Sequence, residues 1–307
     1  MVISGIIFEK LMSMFLIILF GYFLAKTDVL DNNGSQQLVK MLNKYIIPIT
    51  IIMAFQQEFN QQQFINLGWA LFGAVLLHLI RIPLAHLMVW RGNKIDRHSI
   101  IFSNSGFLGI PITLAILGYE GVFYLSLFIV VSSILRWTYG VHTLSEGRER
   151  ITLKSAFINP ASIGLYIGLA LYLLNIQLPT ILSSSMDSIV GLNSPLGMII
   201  LGGYLARGSL RAIFNSKQAY WTTFMRLIFT PLVGLLVIWL LPIEAPYVLL
   251  VLAITNCTPT AVNTALFSQL YGGDYEYGAR LVILTTMMSL ITMPVILLLS
   301  NAVLHIY

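Results

Sequence analysis

Charge is what this chain has least of. Lys, Arg, Asp and Glu make up 9% of its 307 residues, hydrophobic residues make up 57%, and the mean hydropathy is +0.85. A soluble domain carries about 25% charged residues. Seventeen Lys and Arg with twelve Asp and Glu are too few to cover a water-facing surface, which excludes a soluble enzyme and a disordered chain. The net charge of +5 does not mark a nucleic-acid partner, because the basic residues lie in small groups between apolar runs and form no patch. Cysteine is nearly absent too. Cys257 alone makes neither an intramolecular disulfide nor a thiolate metal set. No P-loop, HExxH or GxSxG signature occurs, so no enzyme, no cofactor and no metal centre is expected. His78 and His86 are eight residues apart on one segment, too far to share a metal, and read as interior hydrogen-bonding residues.

What fills the chain is hydrophobic runs. They fall at about 5–25, 36–55, 65–89, 98–118, 121–142, 160–175, 184–206, 218–241, 246–270 and 278–303. Ten helices of about 20 residues would cross a bilayer and leave only short connections. Residues 1–25 read as the first span, not as a cleaved signal. Basic residues test this count. Lys26, Lys40, Lys44, Arg91, Lys94, Arg97, Arg136, Arg148, Arg150, Lys154, Arg207, Arg211, Lys217 and Arg280 all lie in or beside the odd-numbered loops, whereas the even loops carry Glu58, Glu120 and Glu244 and no Lys or Arg. The positive-inside rule then puts the odd loops in the cytoplasm and both termini outside the cell membrane.

The charged connection at 146–158 separates five spans (1–145) from five more (159–307). An odd number per half forces opposite orientations, the condition for an inverted repeat. Echoes between the halves support it. The third span holds Arg81 and Pro83 and ends at Trp90; the eighth holds Arg226 and Pro231 and reaches Trp239. The fourth reads Asn104-Ser-Gly-Phe-Leu-Gly-Ile-Pro111 and ends in Gly118-Tyr-Glu-Gly121. The ninth reads Thr255-Asn-Cys-Thr-Pro259-Thr and ends in Tyr271-Gly-Gly-Asp274.

Those two spans carry the chemistry. A proline inside a helix removes one hydrogen bond and crowds the carbonyl four residues back, so Pro111 is expected to strand the carbonyl of Phe107 and Pro259 that of Thr255. Hydrocarbon tolerates such a break only beside a cavity or a polar neighbour. Gly106 and Gly109 allow close backbone approach, and Asn104, Asn256, Thr258, Thr260 and Asn263 supply polar groups that would be wasted against lipid. The half-helix after each proline begins near mid-membrane. Two amino termini, each with about half a positive charge and free N–H donors, would face one central region and favour an anion, a carboxylate above all.

In these stretches the chain resembles the auxin efflux carrier family of membrane transporters, and its bacterial malate permease-like members in particular. The matching residues also include Gly21-Tyr22 with Lys26, Asn159-Pro160, Pro195-Leu-Gly with Gly202, and Thr285-Thr286, in order over nearly the full length. The resemblance implies ten helices in two inverted five-helix repeats, a scaffold of helices one, two, six and seven, and a transport unit holding two crossing broken helices. It also implies a homodimer and a substrate carboxylate at the crossing, with Asn104, Pro111, Asn256 and Pro259 as the positions carried over. About 17 residues separate the halves, in place of the long cytoplasmic loop of the plant members. The expected protein is therefore an all-α integral membrane permease for a small organic anion such as malate, working by alternating access with a proton or sodium ion as coupling candidates. A sodium-coupled symporter of the bile-acid type, and a substrate-binding channel or sensor, stay open as alternatives. Arg81 and Arg226 read either as arginines snorkelling to the interface or as a substrate counter-charge or helix tether. Asp187 reads as a helix cap or a cation-coupling residue.

Overall fold

The computed structural model describes residues 2–89, 93–149, 153–208, 215–271 and 273–306. Trp90, Arg91, Arg150, Arg211 and Gly272, which entered the reading of orientation and repeats, lie outside them. The described chain is helical, and its one isolated β-bridge pairs Ser103 with Thr260.

Among the described residues, five helices are long and apolar enough to cross a membrane: Gln61–Met88, Ser105–Ser145, Thr180–Arg207, Lys217–Leu240 and Tyr275–Leu304. Pro160–Leu173 and Pro246–Cys257 are shorter apolar helices. The remaining expected spans lie on α1 (Val2–Lys26) and on α2 (Asn32–Met41) continued by α3 (Ile47–Ala54). The fifth and most of the fourth fall in the run Ser105–Ser145, which Gly118 breaks at φ 63° and ψ −157°. A left-handed φ of this kind is cheap only for glycine.

Prolines and side-chain caps shape the helices. A wide π-helical turn precedes Pro48, Pro111 and Pro231: Leu42–Ile46, Ser105–Gly109 and Met225–Phe229. Widening the turn shifts the hydrogen-bond ladder from four residues to five, and a residue without an N–H is accommodated without a break. Pro111 therefore does not break its helix, contrary to the expectation from spacing; the interruption lies seven residues upstream. Side-chain caps set the helix starts. Asp31 accepts from the Gly34 amide at 2.6 Å, Asn60 from Gln62 at 2.9 Å, Asn159 from Ser162 at 3.1 Å and Asp274 from Tyr277 at 2.9 Å.

Helix α1 packs along α11 (Asn193–Arg207), and α3 packs against α9 (Pro160–Leu173). At the first contact the backbones touch. A Cβ on Gly21 would come 2.5 Å from the Ile199 carbonyl oxygen, and one on Gly202 would come 2.1 Å from that of Ile18. Small residues earn their place in membrane helix interfaces by this approach. Gly202→Val is expected to cost about 3 kcal/mol or more and to lower the thermal midpoint and monodisperse yield in detergent. Gly68→Ala, whose added methyl meets nothing within 4 Å, should leave both unchanged.

Candidate functional site: the crossing of two interrupted helices

Helix α5 (Lys94–Ile101) ends at Phe102, which turns extended at φ −98° and ψ 117°, and the chain regains helix only at Ser105. Helix α14 (Pro246–Cys257) ends at Thr258, extended at φ −62° and ψ 148°, and the chain resumes in α15 (Asn263–Leu270). The two extended pieces meet antiparallel. The Asn104 amide donates to the Pro259 carbonyl at 2.8 Å, and the Ala261 amide donates to the Phe102 carbonyl at 3.0 Å. Each break thus supplies the partners the other lacks, where an unsatisfied backbone group in hydrocarbon costs several kcal/mol. Side chains fasten the crossing. The Ser99 and Thr260 hydroxyls are 2.6 Å apart, and the Thr260 amide donates to the Thr285 hydroxyl at 3.2 Å. The Thr255 carbonyl, stranded by Pro259 as expected, accepts from the Thr258 hydroxyl at 3.1 Å and from Arg81 at 3.5 Å.

Behind the crossing stand the two arginines. Arg226 is 0% exposed and Arg81 1%. Arg226 donates to the carbonyls of Ile100 at 3.2 Å, Thr258 at 2.5 Å and Asn256 at 3.5 Å. Arg81 donates to the Asn256 side-chain oxygen at 3.0 Å and lies 5.4 Å from the centroid of the Phe128 ring. Asn256 in turn donates to the Pro231 carbonyl at 2.7 Å. The guanidinium groups therefore sit at the carboxyl ends of the half-helices α5 and α14, where the helix dipole is negative and carbonyls are unpaired. Neither snorkels, which corrects that reading. The reach of the side chain along its own helix allowed it, but carbonyl acceptors at the break hold the head groups inside.

In front of the crossing lies a partly open cavity of about 360 Å³. Of the substrate-site residues expected from sequence, Asn104, Gly106 and Asn263 line it, together with their neighbours Ser103, Ser105, Ala261 and Val262; Asn159 and Pro160 line it as well. Both half-helix amino ends thus reach one space. Buried polar atoms without a partner on this wall include Ser103 Oγ and Asn104 Nδ2, on side chains 1% and 3% exposed. The other side of the Asn104 amide caps the new helix by accepting from the Phe107 amide at 3.4 Å. Asn263 exchanges amide hydrogen bonds of 3.1 and 3.3 Å with Asn43. Gly109 packs near the Thr258 methyl. Asn256, Thr258, Pro259 and Thr260 build the crossing without lining the cavity; Pro111 lies in the helix beyond the break, and neither it nor Arg81 nor Arg226 lines the cavity. Asp187 is exposed, lies away from this cavity and accepts a hydrogen bond from the Tyr119 hydroxyl.

The cavity's charged lining was not recognised in the sequence. Lys40, Lys44 and Arg136 border it, and no Asp or Glu does. All three counted only as markers of orientation there. Asn193, at the start of α11, donates from its side chain to the Gly106 carbonyl at 3.4 Å. Asp96 was also missed, because helix four starts at Lys94 and not at 98. It is a fully buried carboxylate held by the Tyr277 hydroxyl at 2.6 Å and by Gln218 at 2.5 Å, and it does not border the cavity.

A bundle of apolar helices with two broken rods crossing inside it defines a multi-pass membrane protein with a polar site at its centre. A family profile described as membrane transport protein matches residues 6–297. The chain belongs to that family, the auxin efflux carriers, and is a transporter. It is 24% identical over 292 residues to an uncharacterized transporter of Methanocaldococcus jannaschii, a match covering 90% of this chain and 93% of the relative.

The position of Arg226 yields a stability test. Arg226→Met should leave three carbonyls short of a donor and cost about 3 kcal/mol or more, read as a lower thermal midpoint in detergent. Lys217→Met, at an exposed site, should leave the midpoint unchanged.

Proposed function

We propose that the chain is a secondary transporter of a small organic anion, with a carboxylate of the substrate held where the two half-helices begin. The observation that carries this reading is the composition of the cavity wall: two helix amino ends, the unpartnered Ser103 hydroxyl and Asn104 amide, three cationic side chains and no carboxylate. Amide donors and positive dipole ends favour an anion without adding a fixed charge at membrane depth. Malate is one molecule of suitable chemistry.

Ten spans in two inverted halves, 1–145 and 159–307 joined by 146–158, give the site its pseudo-symmetry in this reading. The odd loops face the cytoplasm of a cell membrane, both termini face outward, and the cavity is then open inward. The unit of α1, α3, α9 and α11 is the static part and a homodimer contact, while the crossing moves to expose the site alternately. A proton or a sodium ion would drive uphill movement.

Asn104 separates binding from folding. Asn104→Asp keeps an acceptor for the Phe107 amide, and aspartate is a good helix cap, yet it removes the free donor and adds a negative charge. Carboxylate uptake into proteoliposomes should fall about tenfold or more with an unchanged thermal midpoint. Saturable uptake accelerated by substrate on the far side is the behaviour expected of the unaltered protein. Flux that never saturates, or full uptake by Asn104→Asp, contradicts the proposal.

A further inference from the structure

Among the cations bordering the cavity, Arg136 differs from Lys40 and Lys44. The lysines are exposed, whereas Arg136 is half-buried in the wall. Its guanidinium lies 5.5 Å from the centroid of the Phe102 ring, and Phe102 is the first residue of the break before Ser103. Arg136 is therefore held beside the crossing, with part of its surface facing the cavity. Its only described polar contact is a long one, 3.4 Å from Nη2 to the Ser132 hydroxyl, and its buried Nε has no partner. Both ion pairs among the described residues involve Glu146, with Lys94 and with Arg148, so Arg136 has no carboxylate of its own.

A guanidinium withdrawn from water without an anion is costly. Its five donors are arranged for the two oxygens of a carboxylate. The protein offers no such group here, while the cavity offers space for one. The crossing on the same wall already presents neutral donors to one anionic group. The cavity thus holds two distinct places for negative charge: amides at the crossing and a fixed cation next to it.

We propose that Arg136 is a specificity-determining residue that pairs with a second anionic group on the substrate, so that dianions are taken in preference to monoanions. This rests on the reading of the cavity as a carboxylate site. Phe102 holds the guanidinium by its ring face, and the substrate's second carboxylate completes its hydrogen bonding. Lys40 and Lys44, in water, draw anions toward the opening with little discrimination between them.

The test compares malonate, succinate and glutarate with their monoamides, in which one carboxylate is replaced by a neutral group of nearly equal size. Uptake of each is measured in proteoliposomes at neutral pH for the unaltered protein, Arg136→Gln and Arg136→Lys. The unaltered protein should favour at least one diacid over its monoamide by about tenfold or more. Arg136→Gln should bring that ratio to within about twofold by losing diacid uptake, with monoamide uptake maintained, and Arg136→Lys should retain most of the preference. A ratio unchanged by Arg136→Gln overturns the assignment. Equal uptake of diacids and monoamides by the unaltered protein also overturns it, while leaving the carboxylate site standing. Failure to take up any of the six compounds removes the carboxylate reading beneath it. If Arg136→Gln folds poorly, the unaltered protein's ratio and the Arg136→Lys variant carry the test.

Discussion

A lipid interior offers no hydrogen bonds, so any backbone that leaves the helix there must find its partners in the protein. The structure around Ser103 and Thr260 follows from that constraint. Two helices break at the same place and bond to each other, amide to carbonyl, across the pairs Asn104–Pro259 and Ala261–Phe102. A single break would have left these groups bare. Two breaks facing one another form a short two-stranded join whose side chains, Ser99, Thr260 and Thr285, tie off what the backbone leaves.

The join also sorts charge. Each broken helix has a carboxyl end and a new amino end, separated by a few residues. The carboxyl ends receive the buried guanidinium groups of Arg226 and Arg81, directly at carbonyls and through Asn256. The amino ends receive no carboxylate and open on the cavity. Positive dipole ends thus remain available while the negative ends are neutralised inside the protein. In the proposed anion site the arginines would act indirectly, by cancelling the half of each dipole that repels an anion and by fixing the carbonyls at the break.

Much of this was legible in the residues and some was not, for identifiable reasons. Pro259 marks its break because it has no N–H for the Thr255 carbonyl, which accepts from the Thr258 hydroxyl and Arg81 instead. Pro111 misled, since a π-helical turn absorbs a proline as well as a break does, and only coordinates distinguish the two. Asn104 was visible as a polar residue beside glycines in an apolar run, and it is the residue with a buried donor to spare. Arg81 and Arg226 were visible as costly charges, but reach along one helix says nothing of acceptors on another. Arg136 escaped notice because a basic residue near a span end serves topology equally well. Its place in the wall depends on how the second, fifth and ninth spans come together, which no local pattern encodes. The close contact of Gly21 and Gly202 with opposing backbones was foreshadowed only as residues shared with the family, because glycine is common in membrane helices for several reasons.

The central claim is that the open amino ends at the crossing hold the anionic group. Electron cryomicroscopy of the protein with a carboxylate that it takes up tests this most directly. The account predicts ligand density against Ser103, Asn104 and the first turn of the helix beginning at Asn263. A carboxylate seated elsewhere, with this cavity empty at saturating ligand, would contradict it.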